Sequence, residues 1–280
     1  DWFGCLRFRC SPLSQGVVGM FFDSLESRIF RYAKADPLLY QMGKVGSSSI
    51  EAAVPGSVQV HDFYYTPPCY VHRALAYPKP VRHVAHRTLL FFRRQLYVRS
   101  RGEKKIVTMI RDPLARNISM FFQSLPYWLM EYQTGLITKN AGVGARVEGQ
   151  SFLHACFEKV FPHEYPANWF DAEFRRLTCI NVYNYPYDRG CSCMRIEEGE
   201  FDVILIDTDK LNEVGPELSK FLGRAVDVTG MNRGEKKWYG DLYVDFKRSY
   251  QPSSAVVERT YVNEYSSHFG FFYCDDSPCR

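Results

Sequence analysis

"LLYQMGKVGSSSIEAA", residues 38–53, runs a short apolar strand into Gly-Lys-X-Gly and then sets three serines in a row. Serine competes with the backbone inside a helix but serves well in its first turn, and glycine lets backbone N–H groups crowd around one point. The stretch predicts a strand over 38–42, an anion-holding turn and a helix cut off by Pro55-Gly56. Lys44 adds a full charge, Val45 and Gly46 supply backbone, and Ser47, Ser48 and Ser49 supply hydroxyl donors. The order is not that of a Walker A loop, because Lys44 precedes the glycine that the serines follow.

Working outward, "SVQVHDFYY" (57–65) alternates as a strand does, and "VRHVAHR" (81–87) reads as a second, short one. A basic helical stretch, "TLLFFRRQLYVRSR", leads into the apolar strand "KKIVTMI" (104–110). "RDPLARNISMFFQSL" (111–125) starts a helix twice over: Asp112 can cap it, and Pro113 suits the first helical position. The middle, 131–168, reads as helices and loops. "FDVILI" (201–206) reads as a buried strand, "TDKLNEVGPELSKFLG" as a capped helix closed by Gly223, and "DLYVDFKRSY" as a last helix. Strands alternating with helices predict an α/β fold: one doubly wound, mainly parallel sheet with flanking helices. Without repeats or a low-complexity linker, a single domain over 1–280 is expected, with 1–35 as an N-terminal extension.

With 46% hydrophobic and 16% aromatic residues the 280-residue chain can bury a substantial core, so a disordered protein is excluded. The net charge of +4 tolerates anionic ligands without specifying nucleic acid. No apolar run reaches the length of a membrane span, so no integral membrane segment is expected. Nine cysteines without a Cys-X-X-Cys pair read as reduced thiols in the cytoplasm. The chain begins at Asp1, and a trimmed targeting segment would place it in a secretory-pathway lumen instead.

Arg111 falls at the C-terminal end of its strand, where ligands bind in open α/β sheets, and Arg116 and Ser119 share a face of the following helix. In tandem, "KVGSSSI" and "RDPLARNIS" resemble the 5′-phosphosulfate loop and the 3′-phosphate motif of sulfotransferases that use 3′-phosphoadenosine 5′-phosphosulfate (PAPS). Downstream, "NWFDAEFRRLTCINVYNYPYDRGCS", "FDVILIDTDKLNEVGPELSKFLG" and "KKWYGDLYVDFK" are similar to the capsular-polysaccharide-synthesis type, so the resemblance spans roughly residues 36–273.

The resemblance implies a P-loop-like sulfotransferase architecture and sulfuryl transfer to a carbohydrate or small-molecule hydroxyl or amine, with adenosine 3′,5′-bisphosphate (PAP) as product and no metal. It implies that Lys44, Val45, Gly46, Ser47, Ser48 and Ser49 hold the phosphosulfate and Arg111 and Ser119 the 3′-phosphate. Arg233, Lys236 and Lys237 resemble the late basic loop that closes over the nucleotide. Lys44 is the partner for the leaving phosphate.

For the general base, histidine suits best by its ordinary pKa. His86, expected at a strand end upstream of Arg111, ranks first, then His83 and His61; His154, His163 and His268 read as structural. Carbohydrate sulfotransferases carry a His-X-His at a similar distance, whereas this chain has His-Val-Ala-His. Two other classes stay open. A P-loop kinase would share the cradle, and Asp207 after a strand could hold Mg²⁺. A non-catalytic module for anionic polymers would use Arg87, Arg93, Arg94, Arg99 and Arg101.

Overall fold

The computed structural model describes residues 31–64, 79–138, 149–228 and 237–274. Five strands make one sheet: β1 (Leu38–Tyr40), β2 (Val58–Val60), β3 (Lys104–Ile110), β4 (Cys193–Glu198) and β5 (Phe201–Asp207). Their order is β2-β1-β3-β5-β4; all are parallel except β4, which pairs antiparallel with β5. The central pair β3–β5 is in register from Lys104 opposite Phe201 to Ile110 opposite Asp207. Both strands are buried almost throughout, as parallel strands covered on two faces must be.

Helices α1 (Ser47–Ala53) and α2 (Lys79–Val98) lie in the chain before β3. Between β3 and β4 come α3 (Pro113–Gln123), α4 (Leu125–Thr138), α5 (Gln150–Val160), α6 (Tyr165–Trp169) and α7 (Arg175–Thr178), the last two joined by a π-helical turn at Phe170–Phe174. After β5 follow α8 (Gly215–Leu222), α9 (Gly240–Ser249), α10 (Ser254–Tyr261) and α11 (Glu264–Phe269). The expected α/β class with a single, mainly parallel sheet holds. Among the described residues no helix is long and apolar enough to cross a membrane, and Cys156, Cys179, Cys191, Cys193 and Cys274 are free thiols.

Two apolar clusters support the sheet. One packs Tyr40, Trp169, Phe170 and Phe174 with the strand residues Ile106, Val107, Ile204 and Leu205. The other gathers Phe121 and Phe122 of α3 with Trp128, Phe157 and Phe246. Each fully buried aromatic of this kind contributes roughly 1.5–3 kcal/mol. Helix α3 is anchored by that second cluster on one side and starts as its sequence dictates: the Asp112 carboxylate accepts from the Ala115 N–H at 2.8 Å, ahead of Pro113.

Three expectations are corrected. Residues 81–87 are not a strand but part of α2, because Leu90 and Tyr97, seven apart, bury one stripe of a 20-residue helix; a short apolar run carries no unambiguous period. The strand expected over 57–65 is only Val58–Val60: the N–H groups of Phe63 and Tyr64 turn away to the buried Glu173 carboxylate, Phe63 at 2.7 Å. Helix α9 is not the last one. Asn263 caps α11 by accepting from the Ser266 N–H at 2.9 Å, and Gly270, with φ 68°, closes it.

Candidate functional site

From β1 the chain passes to β2 on one side, while β3 lies on the other. The direction of travel therefore reverses between β1 and β3, and their C-terminal ends flank the crevice where open α/β sheets bind ligands. The loop 41–46 leaves β1 at that point, and Arg111 leaves β3.

The loop is held in a conformation that few sequences tolerate. Gly43, Lys44 and Gly46 all have positive φ (75°, 64° and 81°), which is ordinary for glycine and uncommon for lysine. A side chain on Gly46 would also press on Thr208 Cγ2 at 3.3 Å and Leu211 Cδ2 at 3.4 Å. The Gly43 N–H donates to Gln41 Oε1, while Thr208 Oγ1 lies 2.8 Å from the Val45 carbonyl and 2.7 Å from that of Ile110. Arg116, buried and lying 4.4 Å over the Tyr165 ring, donates to the carbonyls of Met42 (2.9 Å) and Gly43 (3.2 Å). Its guanidinium braces the loop.

Arg111 donates to the Lys44 carbonyl at 2.9 Å, and its own N–H and carbonyl are clamped by the Tyr265 hydroxyl. The Lys44 ammonium reaches Gln123 Oε1 at 3.2 Å, and Lys237 reaches the same oxygen at 3.1 Å. Burial first, then the neighbouring Lys237, Arg111 and Arg116 charges, push the Lys44 pKa down to about 7. Among the described residues neither Lys44, Arg111 nor Lys237 makes an ion pair. Several cations thus converge on a half-buried crevice, with the Asp112 carboxylate beside Arg111.

Of the serines, Ser48 is exposed, whereas Ser47 and Ser49 are buried; the Ser47 hydroxyl accepts from Gln59 Nε2 at 2.5 Å. Val45 is fully buried, so it offers the crevice backbone alone. Ser119 is half-buried on α3, on the same face as Gln123 four residues later. Arg233 and Lys236 lie outside the described residues.

The histidines separate by geometry. His61 follows β2, and its Nδ1 lies 3.0 Å from Gln41 Nε2 and 3.2 Å from the Gln41 carbonyl. Nδ1 accepts from the Gln41 amide in one ring tautomer and donates to the Gln41 carbonyl in the other, so in either form the ring is tied to Gln41. Burial lowers the His61 pKa, so the ring is a neutral brace of the loop. His86 sits on α2 rather than at a strand end, partly exposed, with Nε2 3.9 Å from Asp62 Oδ2. His83 is on the same helix, and its side chain is outside the described set. His163 is fully buried, its Nε2 3.0 Å from the Phe157 carbonyl, as a structural histidine should be. Asp207 is engaged by the Tyr187 hydroxyl (3.2 Å) and the Asp209 N–H (3.0 Å).

Gln123, Gln41, Thr208 and the bracing role of Arg116 were not legible as site features. Gln123 alone had a usable signal, its place one turn after Ser119; the others act through partners distant in the chain.

Residues 147–273 match the family model NKWYS, described as "Putative capsular polysaccharide synthesis protein". The match includes β4, β5, Lys237 and Tyr265, and leaves out loop 41–46 and Arg111. No curated protein and no solved structure matches the chain.

Proposed function

We propose that the protein is a sulfotransferase that moves a sulfuryl group from PAPS to a hydroxyl or amine of a carbohydrate acceptor. The observation that carries this reading is the set of cations around the strand ends of β1 and β3, Lys44, Lys237 and Arg111, that make no ion pair among the described residues. Burying like charges together without an anion is costly, and a bound phosphate would offset that cost. The order of the two motifs and the polysaccharide-synthesis match support the donor and the acceptor class respectively.

In this reading Lys44 and Lys237 flank the phosphosulfate at the loop, and Arg111 and Ser119 meet the 3′-phosphate. The acceptor oxygen forms its bond to sulfur as the bond from sulfur to the bridging oxygen breaks. The electron pair stays on that oxygen, where the Lys44 ammonium meets the growing charge. The acceptor proton goes to His86, whose ring Asp62 faces, and general-base help of this kind contributes ~10²–10⁴-fold. Thermal shift is the test: PAP should stabilise the protein more than ATP with Mg²⁺. The reverse order would favour a kinase and overturn the proposal.

A further inference from the structure

Tyr64, four residues past β2, has two guanidinium groups over its ring: Arg94 of α2 at 4.4 Å and Arg176 of α7 at 4.2 Å from the centroid. The arrangement is built from beneath. The Glu173 carboxylate, buried in the π-helical turn, accepts from the Tyr40 hydroxyl and from the N–H groups of Phe63 and Tyr64. The Tyr64 hydroxyl donates to the Arg176 carbonyl at 2.8 Å. The ring is therefore fixed, and cation–π contact with it holds both guanidinium groups close to one point.

Neither arginine has a carboxylate partner among the described residues. The nearby acids are committed: Asp171 to Arg175, Asp62 facing His86, and Glu173 to its three donors. Arg87, exposed one heptad before Arg94, extends the strip about 10 Å along α2 to the residue next to His86. What the strip offers is a pair of planar, charged donors for anions.

We infer that Arg94 and Arg176, held by Tyr64, form an acceptor subsite for an acidic glycan, reading its carboxylate or sulfate groups beside His86. This deepens the carbohydrate-acceptor reading and rests on it.

The test is calorimetric titration of the full chain, without donor, with tetragalacturonate, a sulfated dextran oligosaccharide and neutral maltotetraose. The acidic probes should bind and maltotetraose should not, with affinity falling as salt rises. The two acidic arms distinguish carboxylate from sulfate recognition. Arg94→Ala and Arg176→Ala should each weaken binding roughly tenfold, and Arg94→Lys should stay weak because an ammonium cannot reproduce the planar fork. Thermal melts serve as the folding control for these accessible positions. Equal affinity for maltotetraose, no binding of either acidic probe, or full binding by both alanine variants would overturn the inference. Loss of PAP binding with acidic-glycan binding intact would instead sink the donor assignment alone.

Discussion

Lys44 and Lys237 place their ammonium groups on one neutral oxygen, Oε1 of Gln123, at 3.2 and 3.1 Å. A single amide oxygen cannot neutralise two charges. Burial and that neighbour hold the Lys44 pKa at about 7, more than three units below an ordinary lysine near 10.4. An anion between the two would restore the charged form.

Proton linkage follows directly. In the free protein Lys44 is mostly neutral at about pH 8, and a phosphate bound beside it raises its pKa, so binding of PAP should take up close to one proton. Affinity should fall as pH rises from about 7 towards 10. Titration calorimetry in buffers of different ionisation enthalpy reads the uptake, and Lys44→Arg should abolish it. The free protein carries the matching sign: its unfolded chain binds the extra proton between about pH 7 and 10, so Lys44 makes stability increase with pH across that window.

Arg111→Ala should weaken PAP binding about ten- to a hundredfold, the loss of a charge-assisted donor worth ~1.5–3 kcal/mol. Since Arg111 also holds the Lys44 carbonyl, Arg111→Lys should recover only part of the affinity. Unchanged affinity in the alanine variant would mean that Arg111 serves the loop alone.

Gly46→Ala should lower stability by about 1–2 kcal/mol, because φ 81° is unfavourable for alanine and its methyl group meets Thr208 and Leu211. Chemical denaturation measures this. A variant as stable as the parent would show that the loop relaxes freely, contrary to its bracing by Arg116 and Thr208.

His86→Ala should lower turnover by ~10²-fold or more with PAP binding nearly intact, and Asp62→Asn should reduce turnover by a smaller factor. His61→Ala should instead act on the loop, lowering stability and PAP affinity together, since His61 supports Gln41. If His61→Ala abolished turnover without affecting binding while His86→Ala stayed active, the base assignment would be reversed.

What the sequence determined by itself is local. The strand, turn and helix over 38–53 could be read because glycine supplies the positive φ angles and serine suits a first turn. Asp112 and Pro113 announce α3 for the same kind of reason, and the apolar runs of β3 and β5 predict a buried parallel pair. Tertiary structure decided everything that depends on distant partners. Glu173, 110 residues from Phe63, ends β2 by taking its N–H group, and the burial of Leu90 and Tyr97 turns 81–87 from the expected strand into helix. Gln123 brings Lys237 to Lys44 across separations of 114 and 79 residues. Backbone preference acts over a few residues, whereas a hydrogen bond or a buried contact acts between any two groups that the packed core brings together.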